Sequence, residues 1–160
     1  MKKSFIYILL LSLVFNACEK DDICLSSVTP KLILRFYDAA NPSTLKSVQN
    51  ISVWVQGKDT LSNYKSANLD SIAIPLNTNA SQTVYNIKKN SVNGNIVNNS
   101  TNQLTITYTT EDVYVSRSCG FKTIFNTVTI TASNGWVQSF TPSTLTTINN
   151  ETKAHVKIFH

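Results

Sequence analysis

Three cysteines are the residues of this 160-residue chain with the widest choice of chemistry, and they stand at Cys18, Cys24 and Cys119. A thiol can act as a nucleophile, ligate a metal, carry an acyl chain or pair in a disulfide. The chain contains no CxxC, HExxH or GxSxG motif, and with only 4 Gly it has no glycine-rich phosphate loop. The neighbours of each cysteine must therefore indicate its role.

The segment before Cys18 has the three parts of a secretory signal. Lys2 and Lys3 supply positive charge, residues 5–15 are almost purely apolar, and the small Ala17 precedes the cysteine. The apolar run is shorter than the roughly 20 residues that a membrane-spanning helix needs. We predict a signal peptide over residues 1–17.

The end of that segment, residues 14–18 (VFNAC), resembles a bacterial lipobox. This resemblance implies that Cys18 becomes the mature N-terminus and carries acyl chains on its sulfur and its amine. Two or more chains give stable anchoring where one gives marginal, reversible binding. The alternative is an ordinary signal peptide in which Cys18 is a leftover thiol.

Charged residues follow Cys18 directly, in the run EKDD. Lys20, Asp21 and Asp22 resemble the export signal that sends lipoproteins of the Bacteroidota to the outer face of the outer membrane. The alternative is a solvated polar linker, which many charge runs are. We expect an outer-membrane location facing the cell exterior, with the periplasmic face as the alternative, and a tether over residues 18–29.

Cys24 and Cys119 are the two cysteines left after lipidation. In an oxidising compartment two thiols allow a single disulfide connectivity, and the alternative is two separate buried thiols. Cys18 and Cys24 are six residues apart, so the tether between them spans at most about 20 Å. A disulfide would then keep the end of the domain that holds Cys119 close to the membrane.

Catalytic and metal-binding roles find little support in the remaining polar residues. Cys119 with His155 as base would need the two to meet in space, and an unpaired thiol outside the cell is open to oxidation. His155 and His160, the only histidines, would lie on opposite faces of a strand and cannot share a metal ion. We expect no catalytic residue, metal or cofactor.

Arg117 shares strand parity with Val113 and Val115, which predicts an inward-facing side chain. A lone buried charge is costly, so we expect a structural ion pair with Asp38, at the end of the sequence RFYD. The functional alternative is an anion pocket lined by Arg117.

Trp54 falls on the polar face of its predicted strand, between Ser52 and Gln56. An exposed aromatic side chain there could stack on a sugar or anchor a protein, whereas a covering loop would make it structural. Trp136 is predicted to be in the core. Two short motifs, 59–61 (Asp59-Thr60-Leu61) and 70–72 (Asp70-Ser71-Ile72), resemble O-glycosylation sites of Bacteroidota export.

Composition indicates a folded domain. Charged residues make up 14 % of the chain, and Val, Ile, Leu and Phe recur throughout. The formal net charge of +5 falls to +3 without Lys2 and Lys3, and no basic stripe with interleaved aromatics is present, which disfavours a nucleic-acid partner. The 143 residues after residue 17 suit one domain, placed at residues 30–160.

Apolar and polar residues alternate along most of this domain, as in strands with one buried face. The pattern predicts a single antiparallel β-sandwich or barrel-like domain of about nine strands. The strand segments are 32–37, 51–56, 71–76, 82–87, 104–109, 113–116, 122–132, 136–140, 145–148 and 155–159.

Turn signals separate the strand segments. Asn134-Gly135 and Glu111-Asp112 are predicted to be the tips of two hairpins. Residues 88–102 are predicted to form the most extended loop, because they are rich in Asn.

Several stretches together resemble a family of Bacteroidota lipoproteins classed as a domain of unknown function. These stretches are CEKDDIC, TPKLILRFYD, NPSTLKSV, IPLNTNASQTVY, VYVSRSCGFKTIF and HVKIFH. The resemblance implies lipidation at Cys18 and marks Cys24 and Cys119 as motif residues, but it implies no reaction. We therefore expect a non-enzymatic interaction or accessory module for an outer-membrane protein. The alternative is a glycan-binding module that uses exposed aromatics, namely Trp54 and nearby tyrosines.

Overall fold

Ten β-strands form the described part of the chain in the computed structural model, which covers residues 24, 29–90 and 101–160. The strands are β1 (Leu32–Tyr37), β2 (Val48–Val55), β3 (Ala67–Leu69), β4 (Ser71–Ile74), β5 (Gln82–Lys88), β6 (Thr101–Ser116), β7 (Gly120–Ala132), β8 (Ser139–Thr141), β9 (Thr144–Ile148) and β10 (Val156–Phe159). A 3₁₀ turn covers Ser62–Tyr64, and no α-helix occurs among these residues.

The strands make two sheets, which confirms the prediction of an all-β sandwich rather than a closed barrel. One sheet has the order β4-β1-β10-β8, and the other has the order β3-β2-β5-β6-β7-β9. The core follows the predicted alternation, since Leu32, Leu34 and Phe36 of β1 are fully buried. Leu104 and Ile106 of β6 are buried in the same way.

One strand pair departs from the antiparallel prediction. β1 and β10 run parallel, with Leu34 opposite Val156 and Phe36 opposite Ile158. Short hairpin loops can join only antiparallel strands. β1 and β10 are instead the first and last strands of the described residues, so a long stretch of chain separates them. The pairing puts both ends of the domain in the middle of the four-stranded sheet.

Two strands contain a local irregularity that shifts the buried positions by one residue. In β7 the buried side chains pass from Phe125 to Val128, and Thr127 between them has a φ of 51°. In β2 they pass from Val48 to Ile51 across a register shift, with Asn50 at a φ of 46°. Such an extra residue bends a strand and re-aims its side chains.

The hairpin predicted at Glu111-Asp112 is wrong. β6 continues through both residues to Ser116, because their carboxylates are bound by side chains of the neighbouring strand. Asn126 donates to Glu111 at 2.7 Å, and Thr123 donates to Asp112 at 2.7 Å. Carboxylates that accept hydrogen bonds from side chains of the neighbouring strand are compatible with an exposed strand.

The hairpin predicted at Asn134-Gly135 is also wrong. β7 belongs to the six-stranded sheet and β8 to the four-stranded sheet, so the segment crosses between layers. The buried Asn102 fixes this crossing, since its amide donates to the Ser133 carbonyl at 2.6 Å and accepts from the Val137 N–H at 3.0 Å. Trp136 is in the core, as predicted.

The chain divides into two compact units. The larger unit contains residues 27–113 and 122–160 and holds the whole buried core. The smaller contains residues 1–26 and 114–121, and we call its described part, Cys24 with residues 114–121, the hairpin unit. The boundaries predicted at residues 17, 29 and 160 remain predictions, and residues 91–100 of the predicted loop lie outside the described residues.

Candidate functional site

A disulfide joins Cys24 to Cys119 in the hairpin unit, which confirms the predicted pairing. The two Cα atoms are 5.0 Å apart, and the bond closes a sequence separation of 95 residues. The Cys119 N–H donates to the Ser116 hydroxyl at 3.0 Å, and Gly120 takes a φ of 68° after it. Because its sulfur is bonded, Cys119 is not available as a nucleophile for His155.

Arg117 lies in the turn between β6 and β7 and is exposed, so the predicted inward orientation is wrong. The parity argument fails because β6 ends at Ser116, one residue before Arg117, and because Val113 and Val115 are themselves only partly buried. The buried pair with Asp38 is therefore not formed, and neither is a buried anion pocket around Arg117.

Asp38 has a different cationic partner. Its carboxylate lies 3.0 Å from the Lys46 ammonium and accepts the Ala40 N–H at 3.3 Å. The hydrogen bond from Lys46, followed by that from Ala40, lowers the pKa of Asp38. The pair lies at the surface, where such an ion pair contributes little to stability.

Two aromatic side chains of the hairpin unit are exposed. Tyr114 is 56 % exposed and Phe121 is 69 % exposed. Their rings meet edge to face, with centroids 5.5 Å apart and an interplanar angle of 70°. Sequence reasoning missed this pair, although two aromatics flanking a turn with a cysteine and a glycine could have indicated it.

Trp54 lies on the outer face of the six-stranded sheet and is partly exposed, so it is neither bare nor covered. Asn86 of β5 is directly opposite it, and Gln103 of β6 is directly opposite Asn86. Gln56 and Gln103 also contact each other through their amides at 3.4 Å. The indole of Trp54 and the side-chain amides of Asn86 and Gln103 therefore form a row across three neighbouring strands.

A cleft of about 500 Å³ opens beside the end of β2. Its apolar lining includes Val55, Leu76 and Tyr85, and Lys58 supplies its positive charge. The Tyr85 hydroxyl donates to the Pro75 carbonyl at 2.5 Å, and burial raises the pKa of Tyr85 above its ordinary value. This hydroxyl is therefore held as a structural donor and is a poor general base.

A closed cycle of three hydrogen bonds joins Asn77 and Thr83, which line the cleft, to Tyr108. The Asn77 N–H donates to the Thr83 hydroxyl at 2.9 Å, and the Tyr108 hydroxyl donates to the Asn77 carbonyl at 2.8 Å. The Thr83 and Tyr108 oxygens are 2.5 Å apart, so the remaining proton, on Thr83, points to Tyr108. The cycle satisfies the buried hydroxyls of Thr83 and Tyr108 and holds the loop after β4.

Both nitrogens of His155 are bound to the backbone. The Ile33 N–H donates to Nδ1 at 2.9 Å, and Nε2 is 3.0 Å from the Asn150 carbonyl, which fixes the neutral ring with its proton on Nε2. His160 likewise places Nε2 3.2 Å from the Lys46 carbonyl. Among the described residues, no three His, Cys, Asp or Glu side chains group as a metal site.

The two predicted glycosylation motifs lie in different settings. Ser71 is in β4, and its hydroxyl donates to the Leu34 carbonyl at 3.2 Å. Thr60 is half-buried and forms an isolated bridge with Trp54. Cys18 and the export residues Lys20, Asp21 and Asp22 lie outside the described residues.

Comparison with known proteins gives the family of the chain. A match to DUF6452, a family of unknown function, covers residues 50–160. The chain belongs to this family. No curated protein and no solved structure matches it. The matched range includes Trp54 and the turn that holds Cys119. It contains strands β3 to β10 and the greater part of β2. In the described part of the chain, none of the helical structure is long and apolar enough to cross a bilayer.

Proposed function

We propose that this DUF6452 protein is a Bacteroidota lipoprotein, anchored in the outer membrane through acylated Cys18 and exposed at the cell surface. In this proposal, Lys20, Asp21 and Asp22 direct the chain to the outer face. The apolar run before Cys18 and the charged run after it support the proposal.

The observation that carries the proposal is the Cys24–Cys119 disulfide. Disulfides persist in oxidising compartments and are rare in the cytosol, so the bond supports export of the chain. It also begins six residues after Cys18. In the proposal, a short segment joins the acylated Cys18 to Cys24, and the disulfide joins Cys24 to Cys119 in the turn between β6 and β7.

We further propose a non-enzymatic role, as an interaction or accessory module for another envelope protein. The groups best suited to catalysis are used in structure: Cys119 is in the disulfide, His155 is bound at both nitrogens, and Tyr85 is held by Pro75. A catalytic pair of nucleophile and base built from these three residues would need two of them to be available.

Mass spectrometry of the N-terminal peptide tests the anchor. We expect a mature chain that begins at Cys18 and carries two or more acyl chains, and a Cys18→Ser variant that stays unprocessed. An unmodified Cys18 in the mature chain would contradict the proposal.

Proteolysis of intact cells tests surface exposure. The wild-type chain should be degraded by added protease, whereas the triple variant Lys20→Ala/Asp21→Ala/Asp22→Ala should be protected while remaining acylated. Protection of the wild-type chain would place it on the periplasmic face instead.

Affinity purification from native membranes tests the accessory role. We expect a membrane protein to co-purify with the wild-type chain in stoichiometric amount and to be lost with the Cys18→Ser variant. If no membrane protein is enriched over the untagged control, the accessory role is wrong.

The row of Trp54, Asn86 and Gln103 favours a second candidate function, glycan binding. An aromatic face can stack on a sugar ring while neighbouring amides bind its hydroxyls. Glycan-array binding should be lost in Trp54→Ala, partly kept in Trp54→Phe and unchanged in Tyr114→Ala. Absence of binding by the wild-type chain would remove this candidate.

A further inference from the structure

The exposed aromatic pair of the hairpin unit is the most unusual surface feature of the described residues. Three large hydrophobic side chains are exposed among them: Leu45 at 40 %, Tyr114 at 56 % and Phe121 at 69 %. Tyr114 and Phe121 contact each other and therefore form one patch. Contiguous exposed apolar surface on a folded chain commonly marks an interaction site.

Covalent geometry limits how far this patch can lie from residue 18. The Cα atoms of Cys24 and Cys119 are 5.0 Å apart. Six residues separate Cys18 from Cys24 and span at most about 20 Å when fully extended. The Cα of Cys119 therefore lies within about 25 Å of the Cα of Cys18, and Phe121 is two residues further.

The chemistry of the hairpin unit matches that of a bilayer surface. Aromatic rings are enriched at the membrane–water interface, where the ring is buried and a polar tip such as the tyrosine hydroxyl stays wet. Arg117 is exposed in the turn between the two rings, and anionic head groups attract such a cation. The described part of the hairpin unit contains no Asp or Glu to oppose this attraction.

We propose that the hairpin unit is a membrane-contact surface, with the rings of Phe121 and Tyr114 in the head-group region of the bilayer and Arg117 on anionic head groups. The inference rests on the proposed function, because the acyl chains on Cys18 bring the hairpin unit to the membrane. The acyl chains are the first attachment point to the membrane, and the contact of the hairpin unit is the second. Two attachment points fix the orientation of the chain on the bilayer surface.

Fluorescence quenching in vesicles tests the contact. The full acylated chain carrying Phe121→Trp is reconstituted into vesicles of phosphatidylethanolamine and phosphatidylglycerol, with and without bromine on the acyl chains. Leu45→Trp is the matched control, because Leu45 is also an exposed apolar side chain but lies outside the hairpin unit. The wild-type signal of Trp54 and Trp136 is subtracted.

We expect brominated lipid to reduce the added fluorescence of Phe121→Trp at least about twofold, as for a side chain inserted at the interface, and that of Leu45→Trp much less. Equal quenching of the two variants would overturn the inference. A photo-crosslinker at position 121 that captures a membrane protein rather than lipid in native membranes would overturn it in favour of protein docking.

The intact mass of the same preparation separates this inference from the proposed function. A chain without acyl groups overturns the proposed anchor, and the inference with it. An acylated chain whose Phe121→Trp variant is not quenched overturns the inference alone.

A charge variant tests the role of Arg117. In the Phe121→Trp background, Arg117→Gln should weaken quenching in anionic vesicles at low salt and leave it unchanged in phosphatidylcholine vesicles, since the attraction requires lipid charge and is screened by salt. The same loss in both kinds of vesicle would overturn the assignment of Arg117 to anionic head groups.

Discussion

Asn102 occupies the space that a side chain on Gly135 would need. A Cβ built on Gly135 would overlap the amide of Asn102, which is fully buried. That amide is held by the Ser133 carbonyl and the Val137 N–H, so it cannot move aside without losing hydrogen bonds. The crossing between the two sheets therefore depends on a buried amide and on a glycine without a side chain.

Gly135→Ala should lower the free energy of unfolding by about 1–3 kcal/mol, the usual cost of overpacking. In an Asn102→Ala background the same change should cost much less, because the overlapping amide is gone. Urea denaturation of both single variants and the double variant measures this coupling. Gly57→Ala is the control: Gly57 has a φ of 77° and open space around its Cα, so its cost should add to that of Asn102→Ala. If the losses of unfolding free energy in Gly135→Ala and Asn102→Ala simply add in the double variant, the proposed overlap between a side chain at position 135 and the Asn102 amide is contradicted.

Tyr108→Phe should open the hydrogen-bond cycle with Thr83 and Asn77 and leave the hydroxyl proton of the buried Thr83 without its acceptor, while the Asn77 carbonyl keeps only the Ala80 N–H at 3.4 Å. Unsatisfied buried groups cost about 1–3 kcal/mol, so the urea midpoint should fall measurably. Tyr114→Phe changes an exposed ring in the same way and should have little effect. Equal midpoints for the two variants would show that the cycle does not stabilise the fold.

Acidification should destabilise the larger unit in the range where its histidines titrate. Burial lowers the pKa of His155 and of His160 below the ordinary 6.5, so near that pH the unfolded chain binds protons that the folded chain does not. Stability is then full above about pH 6.5 and is lost as the pH falls towards the lowered pKa values. Denaturation at pH 7.5, 6.5 and 5.5 measures the slope, which His155→Gln should reduce.

Asp38 provides an internal control for that experiment. Its pKa is lowered from 3.8, so its stabilising effect is present above that value and is lost only as the pH falls below it. A stability that stays constant from pH 7.5 to 5.5 and falls only below pH 4 would contradict the assignment to the histidines.

The variant Cys24→Ser/Cys119→Ser should be less stable by about 4–5 kcal/mol, the chain-entropy value for closing so long a loop. The separation of 95 residues is the reason that this value is large. Urea denaturation of the wild-type chain with reductant should match the double variant, and without reductant it should not. A difference below about 1 kcal/mol would show that the unfolded chain is little constrained by the bond.

Alternation predicted the strands well where one face is buried in the core. Leu104, Ile106 and Tyr108 are inward in β6, as the sequence pattern indicates. The short strand β3 was not predicted, because none of its three residues is fully buried and its pairing with β2 is long-range. Glu111 and Asp112 were mistaken for a turn because their partners on β7 are distant in sequence.

The site was predictable only in part. The expected oxidising compartment and the cysteine count were sufficient to predict the pairing of Cys24 with Cys119. The orientation of Arg117 was not predictable, because parity holds only while a strand continues and β6 ends one residue earlier. The contact between Tyr114 and Phe121 depends on where the turn falls, and the same sequence with a turn at residue 111 would have separated the two rings.

The parallel pairing of β1 with β10 has a consequence for biogenesis. Leu34 is a neighbour of Val156, so the central pair of the four-stranded sheet cannot form until the last strand has left the ribosome. A polypeptide threaded through a translocation channel from its leading end would therefore remain without its central ladder until nearly all of it had emerged. Such late closure would delay completion of the four-stranded sheet, because β1 has to wait for a neighbour from the far end of the domain, and non-local pairings of this kind form slowly.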